Sequence, residues 1–254
     1  MPTVALNDNV SVWIAPISDN WAKAPDAEGN QMATLFNAWK QLAPGGVMLW
    51  AYNTYFSNYM TPFDSYDVLG DMLQFAVENG VYYFWAQGAW DSTASTAFES
   101  VKTYVLSKLM WDSALNVNDL IDDYFAGVYG TGTVAEKMRA AFDAVRTHMK
   151  DSGKTQGSIY DEPKPDKFFG YMNDIWDKTF LNSQLALFND AINALGVKEG
   201  AVYDSIVCET ISTRWMLKEY RSTSTTSYDG TAWGTWAEDI ARLGFNRVSE
   251  STAF

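Results

Sequence analysis

The chain has 254 residues, 31 acidic against 18 basic side chains, and a formal net charge of -13. That balance excludes the basic footprint needed for nucleic acid or an anionic membrane, and it favours a neutral ligand. With 47% hydrophobic residues, one cysteine (Cys208) and one histidine (His148), the composition supports a packed core. It excludes an intrachain disulfide, a Cys/His zinc cluster and a His-rich metal site.

No EF-hand spacing is present, and no metal or cofactor is expected. No apolar run approaches the roughly 20 residues of a membrane span, so no membrane insertion is expected. The opening MPTVALNDNV lacks the basic and apolar segments of a signal peptide. Aromatic residues make up 15% of the chain, including 11 Trp, which suits contact with carbohydrate or a ring-packed helical core.

In chain order, Val10–Ile17 reads as a strand, with Pro16 near its end. Asp19, Asn20 and Trp21 follow, so polar and aromatic groups gather where the strand exits. Asp19 fits either a turn or cap role, or a functional carboxylate. Gly29–Leu42 reads as a helix, because Met32, Leu35, Phe36 and Trp39 recur at spacings of three and four.

The stretch Gly45–Tyr59, GGVMLWAYNTYFSNY, is the most informative. After the turn signal Pro44-Gly45-Gly46, the unbroken apolar run Val47-Met48-Leu49 reads as a buried strand of a parallel sheet. It opens into Trp50, Tyr52, Asn53, Tyr55, Asn58 and Tyr59. Aromatic faces beside amides match a sugar ring, whose C–H faces stack and whose hydroxyls need donors and acceptors. The competing reading is rings filling space under a loop. Asp67–Asn79 is a second helix that stops at Asn79-Gly80. Val81–Ala86 is a third strand, with Gln87, Trp90 and Asp91 at its exit.

Strands alternating with helices imply a parallel α/β arrangement, whose ligands bind at the C-terminal strand ends. Three strands are too few for a closed barrel, which needs eight. From there the pattern is helical. Phe98, Val101, Val105 and Leu109 form one stripe. Asn116 and Asp119 resemble a capping box for the next, and Val134–Met149 marks a third. His148 lies at a stripe edge and reads as a boundary residue. Residues 151–166 hold Gly, Pro, Lys and acids and form a candidate boundary. Asn182 can cap a helix running to Leu195, Val202–Leu217 is a longer one, Ser222–Tyr228 is a polar loop, and Trp233–Leu243 is the last helix. Within them Cys208 reads as a small buried side chain, and Glu209 as a structural or solvated acid.

From Trp50, Tyr52, Asn53, Phe56, Ser57, Tyr59, Pro62 and Phe63, through Glu78–Val81 and Gln87-Gly88, to Tyr104–Leu109, Trp111-Asp112, Asp119–Phe125 and Tyr129-Gly130, the chain resembles a bacterial family called domain of unknown function 4838. That family is related to glycoside hydrolases of the α-glucuronidase type. The resemblance spans roughly residues 8 to 150. It implies α/β architecture: the C-terminal part of a TIM-type (β/α) barrel over residues 1–112, followed by a helical region over 113–254. It also implies an extracellular or periplasmic carbohydrate-active protein. One departure is Ala86, which stands where the resemblance implies a Glu before Gln87-Gly88.

Glycoside hydrolysis uses two carboxylates about 5–10 Å apart. The strand exits offer Asp19 and Asp91. Trp50, Tyr52, Tyr55 and Trp90 would be stacking walls, and Asn53, Asn58 and Gln87 would orient hydroxyls. The expected function is thus a portion of a glycoside hydrolase-like protein, incomplete as a catalyst by itself. A non-catalytic carbohydrate-binding module is one alternative. Another is a fragment that self-associates, since three strands leave open sheet edges that invite a homo-oligomer.

Overall fold

The computed structural model describes residues 3–89, 92–152, 175–222 and 230–254. Strands β1 (Val12–Ile14), β2 (Val47–Tyr52) and β3 (Tyr83–Gln87) form one parallel sheet in the order β1-β2-β3. Helix α1 (Met32–Lys40) connects the first pair and α2 (Leu69–Glu78) the second. Val12 pairs with Val47 and Trp50 with Trp85, which fixes the register. Gly45 permits the close start of β2, since a Cβ there would lie 2.5 Å from the Val10 carbonyl oxygen. The architecture is α/β, as the alternation predicts. Among the described residues the sheet is open, with β1 and β3 at its edges.

Side chains alternate across a sheet, so the register assigns two faces. Val12, Ile14, Val47, Leu49, Ala51, Phe84 and Ala86 share one. Ile14 and Val47 pack there with Phe36 and Ala43, and Phe36 of α1 meets Phe75 of α2 edge-on at 5.9 Å. Both helices therefore cover this face. Leu49, fully buried, joins Met72 and Leu73 in the main core, a burial that stabilises by about 1.5–3 kcal/mol. The opposite face carries Trp13, Met48, Trp50, Tyr83 and Trp85 and is not sealed. Trp13 is 42% exposed, Tyr83 51% and Trp85 39%.

Helices α3 (Glu99–Trp111), α4 (Val117–Tyr129), α5 (Thr133–Ser152), α6 (Lys178–Leu195), α7 (Ala201–Ser222) and α8 (Gly230–Leu243) complete the main body. Asn116 caps α4, its side chain accepting from the amides of Asn118 and Asp119. The same core that holds Leu49 extends through Phe98, Phe125, Phe142 and Phe188 to Trp236 and Phe245. Its members come from both sides of residues 112 and 113.

Three expectations change. α6 begins at Lys178, capped by Asp177, rather than at Asn182, because the apolar face extends back to Leu181 and the Asp177 carboxylate accepts from Phe180 N. β3 begins at Tyr83, two residues late, because Val81 N is already bonded to Ala76 O at the end of α2. The C-terminal region is not purely helical. It ends in an antiparallel hairpin of β4 (Arg247–Ser249) and β5 (Thr252–Ala253), strands too short to leave a periodic signal. Most of the candidate boundary at 151–166 and of the Ser222–Tyr228 loop lies outside the described residues.

Candidate functional site

The loop that leaves β2 turns inward. Asn53 N donates to Gln87 O, prolonging the β2–β3 ladder by one bond. Beyond it the chain folds under itself. Asn58 Oδ1 accepts from Met60 N, and Asn53 Oδ1 accepts from Ser65 Oγ. The hairpin clamps the same loop, Tyr59 N donating to Val248 O and Glu250 N to Phe56 O. Tyr52, Asn53, Tyr55 and Asn58 are consequently buried. Trp21 covers Tyr52 edge-on at 5.6 Å. For Tyr55 and Asn58, the structure shows rings and amides filling the space beneath the loop.

A cleft of about 470 Å³ opens beside these strand ends, between the exit of β3 and helix α3. Asn53 and Tyr59 reach it, and Trp85 and Gly88 come from β3 and its exit. Hydroxyls of Thr54, Ser92, Thr93, Ser95, Thr103 and Ser107 contribute a neutral, hydrogen-bonding lining. Thr93 holds the rim to the C-terminal segment, its amide donating to Asn246 Oδ1 and its hydroxyl to Gly244 O. Trp85 is braced from behind. Its ring centroid lies 4.4 Å from that of Trp50 and 5.6 Å from that of Trp13. Trp50 is fixed in turn, donating from Nε1 to Gln87 Oε1 at 2.7 Å.

Glu99, the first residue of α3, also lines the cleft. Its side chain is 14% exposed, and its Oε1 lies 2.6 Å from Lys102 Nζ. Lys102 is wholly buried. It donates to Asn53 O, Phe63 O and Ser65 Oγ, and it sits over the rings of Phe63 and Tyr66. Burial pushes the Glu99 carboxyl up to about 7, against the opposing pull of Lys102. Burial equally drives the Lys102 ammonium downward.

The turn ahead of Glu99 is strained and heavily tied. Ala97 and Phe98 both have φ of 58°, the left-handed region that side chains seldom occupy. Tyr66 Oη donates to Ala97 O at 2.6 Å, and Thr96 Oγ1 donates to Cys208 O at 2.6 Å. Phe98 N donates to Glu209 Oε2 at 2.7 Å. Glu209 is thus a structural acid, as its place within a helix implies. Burial lifts its carboxyl to about 8. Burial and neighbouring acids lift the Cys208 thiol to about 12.

Of the sequence-derived residues, Asn53 lines the cleft, and Trp50 and Gln87 brace its Trp85 wall. Asp19 does not line it. Both its carboxylate oxygens are occupied, Oδ1 by Gln31 N at 2.8 Å and Oδ2 by Met32 N at 2.9 Å, at the N-terminus of α1. Desolvation raises its pKa, partly offset by those amides. Trp90 and Asp91 lie outside the described residues. His148 stacks on Phe180 at 3.7 Å and contacts Ile175 O, a packing role. Glu99, Lys102 and Trp85 escaped the sequence reading. The only hint at Glu99 was a Glu and a Lys three residues apart, which is ordinary on any helix.

A sequence model of the family described as Domain of unknown function (DUF4838) matches residues 2–141, more than half of the chain. The chain belongs to that family. The matched span contains every described residue lining the cleft, whereas Cys208 and Glu209, which hold the turn before Glu99, fall outside it. No curated protein matches the chain. Among the described residues, no cluster of three or more His, Cys, Asp or Glu could hold a metal ion, and no helix is long and apolar enough to cross a membrane.

Proposed function

We propose that the cleft beside β3 binds carbohydrate and that the chain is a portion of a glycoside hydrolase-like protein. The observation carrying this reading is Trp85, a partly exposed ring forming a cleft wall and backed by Trp50 and Trp13. A sugar ring offers C–H faces to such a wall and hydroxyls to the Ser, Thr and Asn groups around it. The volume falls in the usual range for small-ligand sites, about 300–1,000 Å³. The three strands are read as a section of a TIM-type barrel, whose ligands bind at this end of the strands. Hydrolysis calls for two carboxylates, and among the described residues lining the cleft Glu99 supplies one. Ligand binding without hydrolysis is therefore the activity expected of the chain alone.

The test is calorimetric titration of the full chain with cellohexaose, xylohexaose and maltohexaose. At least one should bind, with affinity falling tenfold or more in Trp85→Ala while the far-ultraviolet circular dichroism is unchanged. Failure of all three to bind overturns the reading.

A second reading concerns the unsealed sheet face. Parallel sheets are normally covered on both faces. The exposure of Trp13, Tyr83 and Trp85 on one face favours its covering by a second copy of the chain. Sedimentation velocity should show association that rises with concentration and weakens in Trp13→Ser. A monomer at all concentrations overturns it.

A further inference from the structure

We propose that Glu99 is a ligand-holding group of the cleft, through a hydrogen bond whose direction follows the protonation of its carboxyl. Its carboxyl meets a hydroxyl or bridging oxygen of a sugar ring resting on Trp85, donating a hydrogen bond when protonated and accepting one when ionised. The identity of the ligand rests on the carbohydrate reading above. The behaviour of the carboxyl itself does not.

The geometry makes the case. Glu99 combines a place in the wall of the cleft with almost complete burial. One oxygen is committed to Lys102, a cation with no exposed side chain and fixed by two backbone carbonyls. The carboxyl is therefore held at a single place, as a group that hydrogen-bonds a bound ligand in a fixed orientation must be. The strained turn at Ala97 and Phe98 delivers Glu99 to that position, and tethers from Tyr66, Thr96 and Glu209 hold the turn. Strain of this kind costs about 1–3 kcal/mol per residue and persists where surrounding structure enforces it.

Among the described residues, charged and titratable groups face Glu99 from several elements. On its own helix Glu99 faces Lys102. From the loop after β2, Asp64 acts through Lys102, and Tyr66 lies close enough to feel Glu99. From α7, Glu209 feels it as a like charge. Tyr124 of α4 is linked through Ser100, and Arg146 of α5 is engaged by Asp67. Burial favours the neutral acid, and Lys102 favours the anion. Glu99 stands between these opposing influences and is raised into the neutral range.

Two measurements on the full chain test this. In the first, without ligand, carbon-13 NMR follows the glutamate carboxyls from pH 4 to 10, with Glu99→Gln and Glu209→Gln assigning the two displaced resonances. Glu99 should titrate near neutrality. A midpoint in the ordinary carboxylate range, about 4.3, overturns the proposal.

The second measures affinity for the binding hexaose between pH 5.5 and 8.5. Wild-type affinity should change at least fivefold across this range, and Glu99→Gln should flatten the profile. If a hexaose binds through Trp85 but Glu99→Gln keeps the wild-type pH profile, the proposal fails and the carbohydrate reading stands. If Glu99 titrates near neutrality but no hexaose binds at any pH, both the ligand assignment and the proposal fall.

Discussion

Lys102 Nζ stands 2.6 Å from Glu99 Oε1, with no part of the lysine side chain reaching solvent. The pair joins α3 to the loop after β2, because the same ammonium also donates to Asn53 O and Phe63 O. Replacing one member of a buried ion pair leaves its partner uncompensated, and such losses cost about 3–5 kcal/mol. Lys102→Met should therefore lower unfolding free energy by that order in urea titration. A change below about 1 kcal/mol would show that the pair is not holding the loop.

Stability should fall as pH rises through the neutral range. Burial raises Glu99 to about 7, Glu209 to about 8 and Asp64 to about 6. Each then keeps its proton in the folded state at pH values where the unfolded chain has released it. Folding takes up protons in that window, so the stabilisation present at low pH is lost on passing through the raised pKa values. Thermal unfolding should show a higher midpoint at pH 5.5 than at pH 8.5. Glu209→Gln should shrink the difference.

Glu209 should matter for its hydrogen bond more than for its charge. It accepts the Phe98 amide at a left-handed residue, and it sits within the core. Glu209→Gln retains an acceptor oxygen and should be tolerated. Glu209→Ala leaves a buried N–H without a partner and should cost about 1–3 kcal/mol. Equal effects of the two variants in urea titration would count against this account.

Asp19 should behave as a helix cap. Its carboxylate satisfies two amides at the start of α1. Asp19→Ala should destabilise by about 0.5–2 kcal/mol and leave hexaose affinity within twofold of wild type. A tenfold loss of affinity with unchanged stability would return Asp19 to the site.

The sheet was legible in the sequence because its signal is local. Val47-Met48-Leu49 is an apolar run behind a Gly turn, and Met32, Phe36 and Trp39 mark a helix by spacing alone. Asn116 announced its own cap. The cleft was not legible because its decisive residues draw their character from distant partners. Glu99 reads as an ordinary first-turn acid until Lys102 is seen to be anchored on Asn53 and Phe63. Phe98 reads as the first residue of an apolar stripe, and its left-handed backbone depends on Tyr66 and Glu209. Tyr55 and Asn58 misled in the other direction. A polar-aromatic string looks alike whether it faces a ligand or wraps beneath a loop, and the hairpin that closes over it lies far away in sequence.

The bonds from Tyr59 to Val248 and from Glu250 to Phe56 carry an implication for biosynthesis. The segment around residues 56–59 is translated long before its backbone partners emerge from the ribosome. Until they do, this part of the nascent polypeptide has to remain unfinished, so the ribosome-bound chain should stay protease-sensitive here after its first helices have formed.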